Sequence, residues 1–166
     1  MRLNERIQIV NHNPKWKQDY ADEIEGLKKK TFLSTLTYEH IGSTSIPNIK
    51  AKPVIDIIIG INSFPPEKGI IKDLEESEYT YMKEMSVLDR LYFIKRELKN
   101  FNVHIISYEG NVWNHDILFR DYMISHPDEA QEYSSLKENI LSDGVETLLE
   151  YLEKKVDFIM KIYEKM

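Results

Sequence analysis

The stretch Val54-Ile55-Asp56-Ile57-Ile58-Ile59-Gly60-Ile61 decides how the chain is read. Its β-branched side chains fit a pleated surface, and Gly60 and Asn62 punctuate its end, so the run reads as a buried strand. It is the longest apolar stretch in the sequence, far short of the about 20 residues a membrane span requires. One residue breaks the pattern. An ionised carboxylate in such a run is costly unless it is paired or binds a metal, and aspartate is rarely buried unpaired. A strand's period of two puts Val54, Asp56 and Ile58 on one face. Asp56 is therefore either at the solvent-facing mouth of a sheet or placed for a task. Lys52-Pro53, just ahead, adds a cation and a rigid approach to the strand.

Working outward, residues 36–41 read as a strand stopping at Gly42, and residues 7–10 as a first strand. Two more strands are predicted over residues 90–95 and 101–108, joined by a polar connection at Lys99-Asn100. Asn13-Pro14 marks a helix start, and Trp16, Tyr20, Ile24 and Leu27 fall on one helical face. Pro65-Pro66 opens a charged helix through Glu76. A helix over residues 114–125 is cut by Pro127 and restarts at Asp128. Beyond Ser142-Asp143-Gly144, a last helix carries Leu148, Leu149, Leu152, Val156, Ile159 and Ile162 as one apolar stripe. That stripe is expected to pack on its own domain. Mixed strands with helices gathered at the end make the fold α+β. With no repeat and no long linker, all 166 residues read as a single domain, 1–166.

Twenty-two Lys and Arg against 28 Asp and Glu leave a net charge of −6. Extensive wrapping of nucleic acid needs dense positive charge and is not expected, whereas a small basic pocket remains compatible. The absence of cysteine excludes disulfides, thiolate catalysis and thiolate metal sites. Residues 1–6 are charged and lack the apolar core of a signal peptide, so the expectation is a soluble cytoplasmic protein with no membrane association.

The segment His40-Ile41-Gly42-Ser43-Thr44-Ser45-Ile46-Pro47 places three hydroxyl residues directly after a glycine turn. Glycine lets backbone approach a ligand closely, and successive amides and hydroxyls can donate to phosphate oxygens. The same string also describes a plain turn with a helix cap. Both readings stay open on the local string.

This segment, followed by Ala51-Lys52-Pro53-Val54-Ile55-Asp56-Ile57, resembles the GrpB family. Leu118-Phe119-Arg120-Asp121-Tyr122 with His126-Pro127, then Tyr133 and Leu136-Lys137, is similar to it too, as are Tyr151, Lys155 and Phe158-Ile159. That family is grouped with the nucleotidyltransferase superfamily. The resemblance implies a nucleotidyltransferase-like small mixed β-sheet flanked by helices, with further helices at the C-terminus. It implies that the Gly-Ser turn holds nucleotide phosphates and that acidic residues on the next strand hold a divalent metal, Mg or Mn or alternatively Zn. Gly42-Ser43 and Asp56 have the expected spacing. Ile58, however, stands where a second carboxylate belongs.

His104 on the 101–108 strand is usual for the family and is the expected partner of Asp56, as a metal ligand or in acid–base work. Gly42, Ser43, Thr44, Ser45 and Lys52 are then the expected phosphate binders, with Arg90 and Arg120 as guanidinium clamps. Arg120-Asp121 reads equally as a structural ion pair. The ligand expected is a nucleotide or phosphorylated small molecule. The activity implied is transfer of a nucleotidyl group to an unknown acceptor. A catalytically inert nucleotide- or anion-binding regulatory module is the alternative that Ile58 favours.

Overall fold

The computed structural model describes residues 7–145 and 147–166, with Leu148 by its backbone alone. The expectations for residues 1–6 and for the Leu148 side chain lie outside the described residues. The strands are β1 (Thr37–Ile41), β2 (Ile55–Ile61), β3 (Thr80–Tyr81), β4 (Arg90–Arg96) and β5 (Asn100–Ser107). The helices are α1 (Lys15–Leu27), α2 (Lys68–Glu75), α3 (Asn111–Ser125), α4 (Pro127–Ser142) and α5 (Leu148–Tyr163). One sheet runs in the order β1-β2-β5-β4-β3. β2 and β5 are parallel, and the other pairings are antiparallel. The fold is thus α+β with a mixed sheet, as expected.

The β-branched run becomes the central β2 because both faces of the sheet are covered there. One face presents Ile55, Ile57 and Ile59, which join Val103 and Ile105 of β5 against Trp16, Ile24 and Leu27 of α1. On the other face Ile58 closes with Ile41, Ile106 and Trp113 of α3. Gly60 permits that closure, since a Cβ there would meet the Trp113 and Tyr108 rings at 2.8 Å each. Asp56 shares the second face with Ile58 but lies nearer the start of β2, beyond the apolar seal. The C-terminal helices attach through the segment after β1: Ile46 and Ile49 pack with Met123, Ala130, Tyr133 and Ile162.

Three sequence expectations need correction. Residues 7–10 form no strand; Val10 makes only an isolated bridge with Ala51. Ile7 is instead buried with Ile140, Val145 and Tyr151, so the apolar spacing serves packing rather than a ladder. α2 begins at Lys68 rather than at the prolines, because Glu67 (φ −57°, ψ 141°) is still extended. α5 keeps only the C-terminal part of the predicted stripe. Of that stripe Ile159 and Ile162 pack inward, joined by Tyr151, while Leu149, Leu152 and Val156 stand exposed. The large Tyr151 ring wins the inward position over the smaller leucines, as aromatic side chains bury the most apolar area. Among the described residues no helix is long and apolar enough to cross a membrane.

Candidate functional site

The parallel pairing of β2 with β5 puts Asp56 directly opposite Asn102, and Ile58 opposite His104. Asn102 Nδ2 donates to Asp56 Oδ1 at 2.6 Å. Asn102 Oδ1 in turn accepts from an Arg96 guanidinium nitrogen at 2.7 Å. His104 stands on the same face, with Nε2 3.9 Å from Asp56 Oδ1. Its ring packs on Tyr92, centroids 4.8 Å apart, and its buried Nδ1 has no hydrogen-bond partner. Burial pushes the Asp56 carboxyl upward in pKa, but His104, Asn102 and Lys52 outweigh it and hold the group below the usual carboxylate range. The side chain remains 28% exposed, through the cavity described next. Asp56 is therefore a wetted, ionised carboxylate.

The turn after β1 is built around Gly42, at φ 70° and ψ −175°, a conformation essentially restricted to glycine. A single 3₁₀ turn, Ser43–Ser45, follows. Ser45 Oγ donates back to the Gly42 carbonyl at 2.6 Å. Thr44 Oγ1 lies 2.9 Å from His40 Nε2, and the His40 ring stacks on Tyr20. Burial takes His40 down to about 4, Arg120 and His12 adding to the shift and Asp56 opposing it, so the imidazole is neutral at pH 7.

Turn and sheet face together open onto a cavity of about 340 Å³. Ser43, Thr44, Lys52, Asp56, Arg90 and His104 all line it, with Asn102 beside them. The C-terminal helices supply Lys137 from α4 and Tyr151 and Lys155 from α5. Lys52, Arg90, Lys137 and Lys155 thus surround a lining whose one carboxylate, among the described residues, is Asp56. Arg90 is anchored from behind by Asp116 of α3, 2.6 Å from its guanidinium. Burial raises Asp116 despite Arg90.

Gly42, Ser45 and Arg120 do not line the cavity. Gly42 lies beneath Asp56, and the Ser45 hydroxyl is turned into the turn it caps. Arg120 is held elsewhere: it donates to Glu39 at 2.6 Å, to the His40 carbonyl at 3.0 Å and to Asp121 at 2.8 Å. Its place is a clamp of α3 onto β1, which takes up the donors a ligand would need.

Sequence reasoning missed Asn102, Asp116, Lys137 and Lys155 as parts of the site. Lys137 did leave a signal. It falls four residues after Tyr133 and three before Ile140, on the buried face of α4, where a lysine is out of place.

A divalent metal at Asp56 and His104 is what the resemblance implies. Among the described residues no group of three or more His, Cys, Asp or Glu is placed to hold one. The Asn102 amide already occupies Asp56 Oδ1, and Ile58 is sealed in an apolar cluster. The donor set does not fit a metal centre held by protein side chains alone.

A mixed five-stranded sheet with a cavity lined by basic and hydroxyl side chains at one end of its central parallel pair defines an α+β protein with a basic pocket. The GrpB protein family matches residues 6–165, and the chain belongs to that family. It is 32% identical to the UPF0157 protein YqkA of Bacillus subtilis, across 93% of this chain and 45% of that protein. It is 31% identical to the glutamate-rich protein GrpB of Alkalihalophilus pseudofirmus, across 95% of this chain and 94% of that one. The crystal structure of the conserved protein GrpB from Enterococcus faecalis superimposes with a TM-score of 0.82 at 29% identity, covering 95% and 96% of the two chains. The chain thus spans under half of one curated relative and nearly all of another.

Proposed function

We propose that the cavity receives the phosphates of a nucleotide or another phosphorylated small molecule, in a protein of nucleotidyltransferase type. The observation that carries this reading is the charge of the lining: the cationic Lys52, Arg90 and Lys155, with the Lys137 amine and the Ser43 and Thr44 hydroxyls, around one carboxylate among the described residues, in about 340 Å³. Lys52 and Arg90 neutralise phosphate, the guanidinium through paired donors, and Ser43 and Thr44 add hydroxyl donors. In nucleotidyl transfer, an acceptor oxygen attacks the α-phosphorus and pyrophosphate leaves. In this reading Asp56, with His104 beside it, takes the acceptor's proton.

A second reading, binding without transfer, is favoured by the burial of Ile58 in the cluster of Ile41, Ile106 and Trp113. Two-metal transfer needs a second acid, and that position offers a sealed methyl surface instead.

Thermal unfolding with ATP, GTP, CTP and UTP, each in EDTA and in Mg²⁺, Mn²⁺ or Zn²⁺, tests both readings. A ligand at a hundred times its Kd stabilises by about 2.7 kcal/mol, a readily measured shift. Metal-dependent binding that Asp56→Ala abolishes supports the transferase, with release of pyrophosphate as its activity readout. Metal-independent binding that survives Asp56→Ala supports the binding module. No shift with any nucleotide overturns the proposal.

A further inference from the structure

Lys137 is the most deeply buried charged side chain described, at 1% exposure, and its amine reaches the cavity from α4. A buried ammonium ordinarily has a carboxylate partner. Here its hydrogen bonds go to Ser43 Oγ at 3.2 Å and to the Lys50 carbonyl, both neutral acceptors. Among the described residues it has no ion pair. The Tyr133 ring of its own helix lies 4.5 Å below the amine, which softens its isolation without neutralising it.

The other charged groups around it do not help. Lys155 faces it from α5 and repels it, while burial drives Tyr151 upward and keeps that phenol neutral. Across the cavity Lys52 and Arg90 add positive charge, and the Asp56 carboxylate is engaged by Asn102 and His104. The amine is consequently lowered to about 7, first by burial and then by Lys155.

We infer that the ligand's phosphate is the counter-ion that Lys137 lacks among the described residues, so that the cavity takes up the anion and a proton on Lys137 together. This rests on the phosphate-receiving reading above and deepens it. In the empty protein burial and Lys155 favour the neutral amine above about pH 7. An incoming phosphate restores the charge pair and holds the proton. Ser43 accepts from the same amine, so turn and helix present adjoining polar groups to the anion.

Calorimetric titration of ATP into the whole protein, in buffers of different ionisation heat, counts the protons bound. At pH 8.5 the phosphates are already ionised, and the wild-type protein is expected to take up close to one proton per ATP. Lys137→Arg, whose guanidinium keeps its charge, is expected to bind ATP with that uptake abolished. The ratio of wild-type to Lys137→Arg affinity should stay flat below pH 6.5 and fall by about tenfold per pH unit above 7.5. The wild-type proton count requires no variant, so a poorly folded Lys137→Arg protein does not remove the test. No uptake in the wild type, or uptake retained in Lys137→Arg, overturns this inference while leaving the receptor reading standing. Failure of every nucleotide to bind at any pH overturns the receptor reading and this inference with it.

Discussion

Asp56 Oδ2 occupies the space in which a side chain at Gly42 would begin: a Cβ built on Gly42 would lie 2.6 Å from it. The glycine of the turn and the carboxylate of the strand are thus parts of one packing arrangement. Gly42→Ala adds both that clash and a backbone conformation (φ 70°, ψ −175°) that alanine avoids. The strain alone is about 1–3 kcal/mol. Urea unfolding should show a lower midpoint with an unchanged slope, and ATP binding should weaken because Asp56 is displaced into the cavity.

Arg120→Ala separates a ligand clamp from a structural one. Its bonds to Glu39 and the His40 carbonyl tie α3 to β1 outside the cavity. The expected loss is about 1–3 kcal/mol of stability, from leaving partners of a part-buried ion pair unmet. ATP affinity, read by calorimetry on the folded variant, should change by less than about twofold, far below the tenfold that 1.4 kcal/mol of binding energy represents. A large loss of affinity with intact stability would return Arg120 to the binding site.

Asn102→Ala removes the link between Arg96 and Asp56. One part-buried acceptor and one part-buried donor then lose their partners, at a cost of about 1–3 kcal/mol. The Asp56 carboxyl should titrate at higher pH than in the wild type, because a hydrogen bond favouring its charged form is gone. Carbon-detected NMR of the aspartate side chains checks this directly.

Stability should also depend on pH through His40. Its folded value of about 4 lies below the ordinary 6.5, so between those limits the unfolded chain binds the proton and the folded protein does not. The stabilisation is therefore present above pH 6.5 and is lost as pH falls toward 4. The total is on the order of 3 kcal/mol. His40→Gln should flatten this part of the profile, measured as urea midpoints across that range.

Much of the architecture was legible because its causes are local. The β-branched run of β2, the four-four-three spacing of α1 and the proline that opens α4 each act over a few residues. Residues 7–10 misled because alternation records burial without saying whether a strand partner or a helix provides it. The α5 stripe misled in the same way, since Tyr151 and Leu152 are adjacent in sequence and only a neighbouring surface chooses between them.

By itself the sequence determined that a carboxylate would stand in a buried strand behind a glycine-hydroxyl turn, because propensity, periodicity and turn chemistry are written in short stretches. His104 was expected beside that carboxylate, and it stands there; the tertiary structure alone decided what else does. Asn102 meets Asp56 through strand register, Lys137 arrives from a helix 81 positions further along the chain, and Arg120 is drawn away to Glu39. Such meetings depend on how the helices dock across the sheet. Docking is set by the summed packing of many side chains, and no local pattern encodes it.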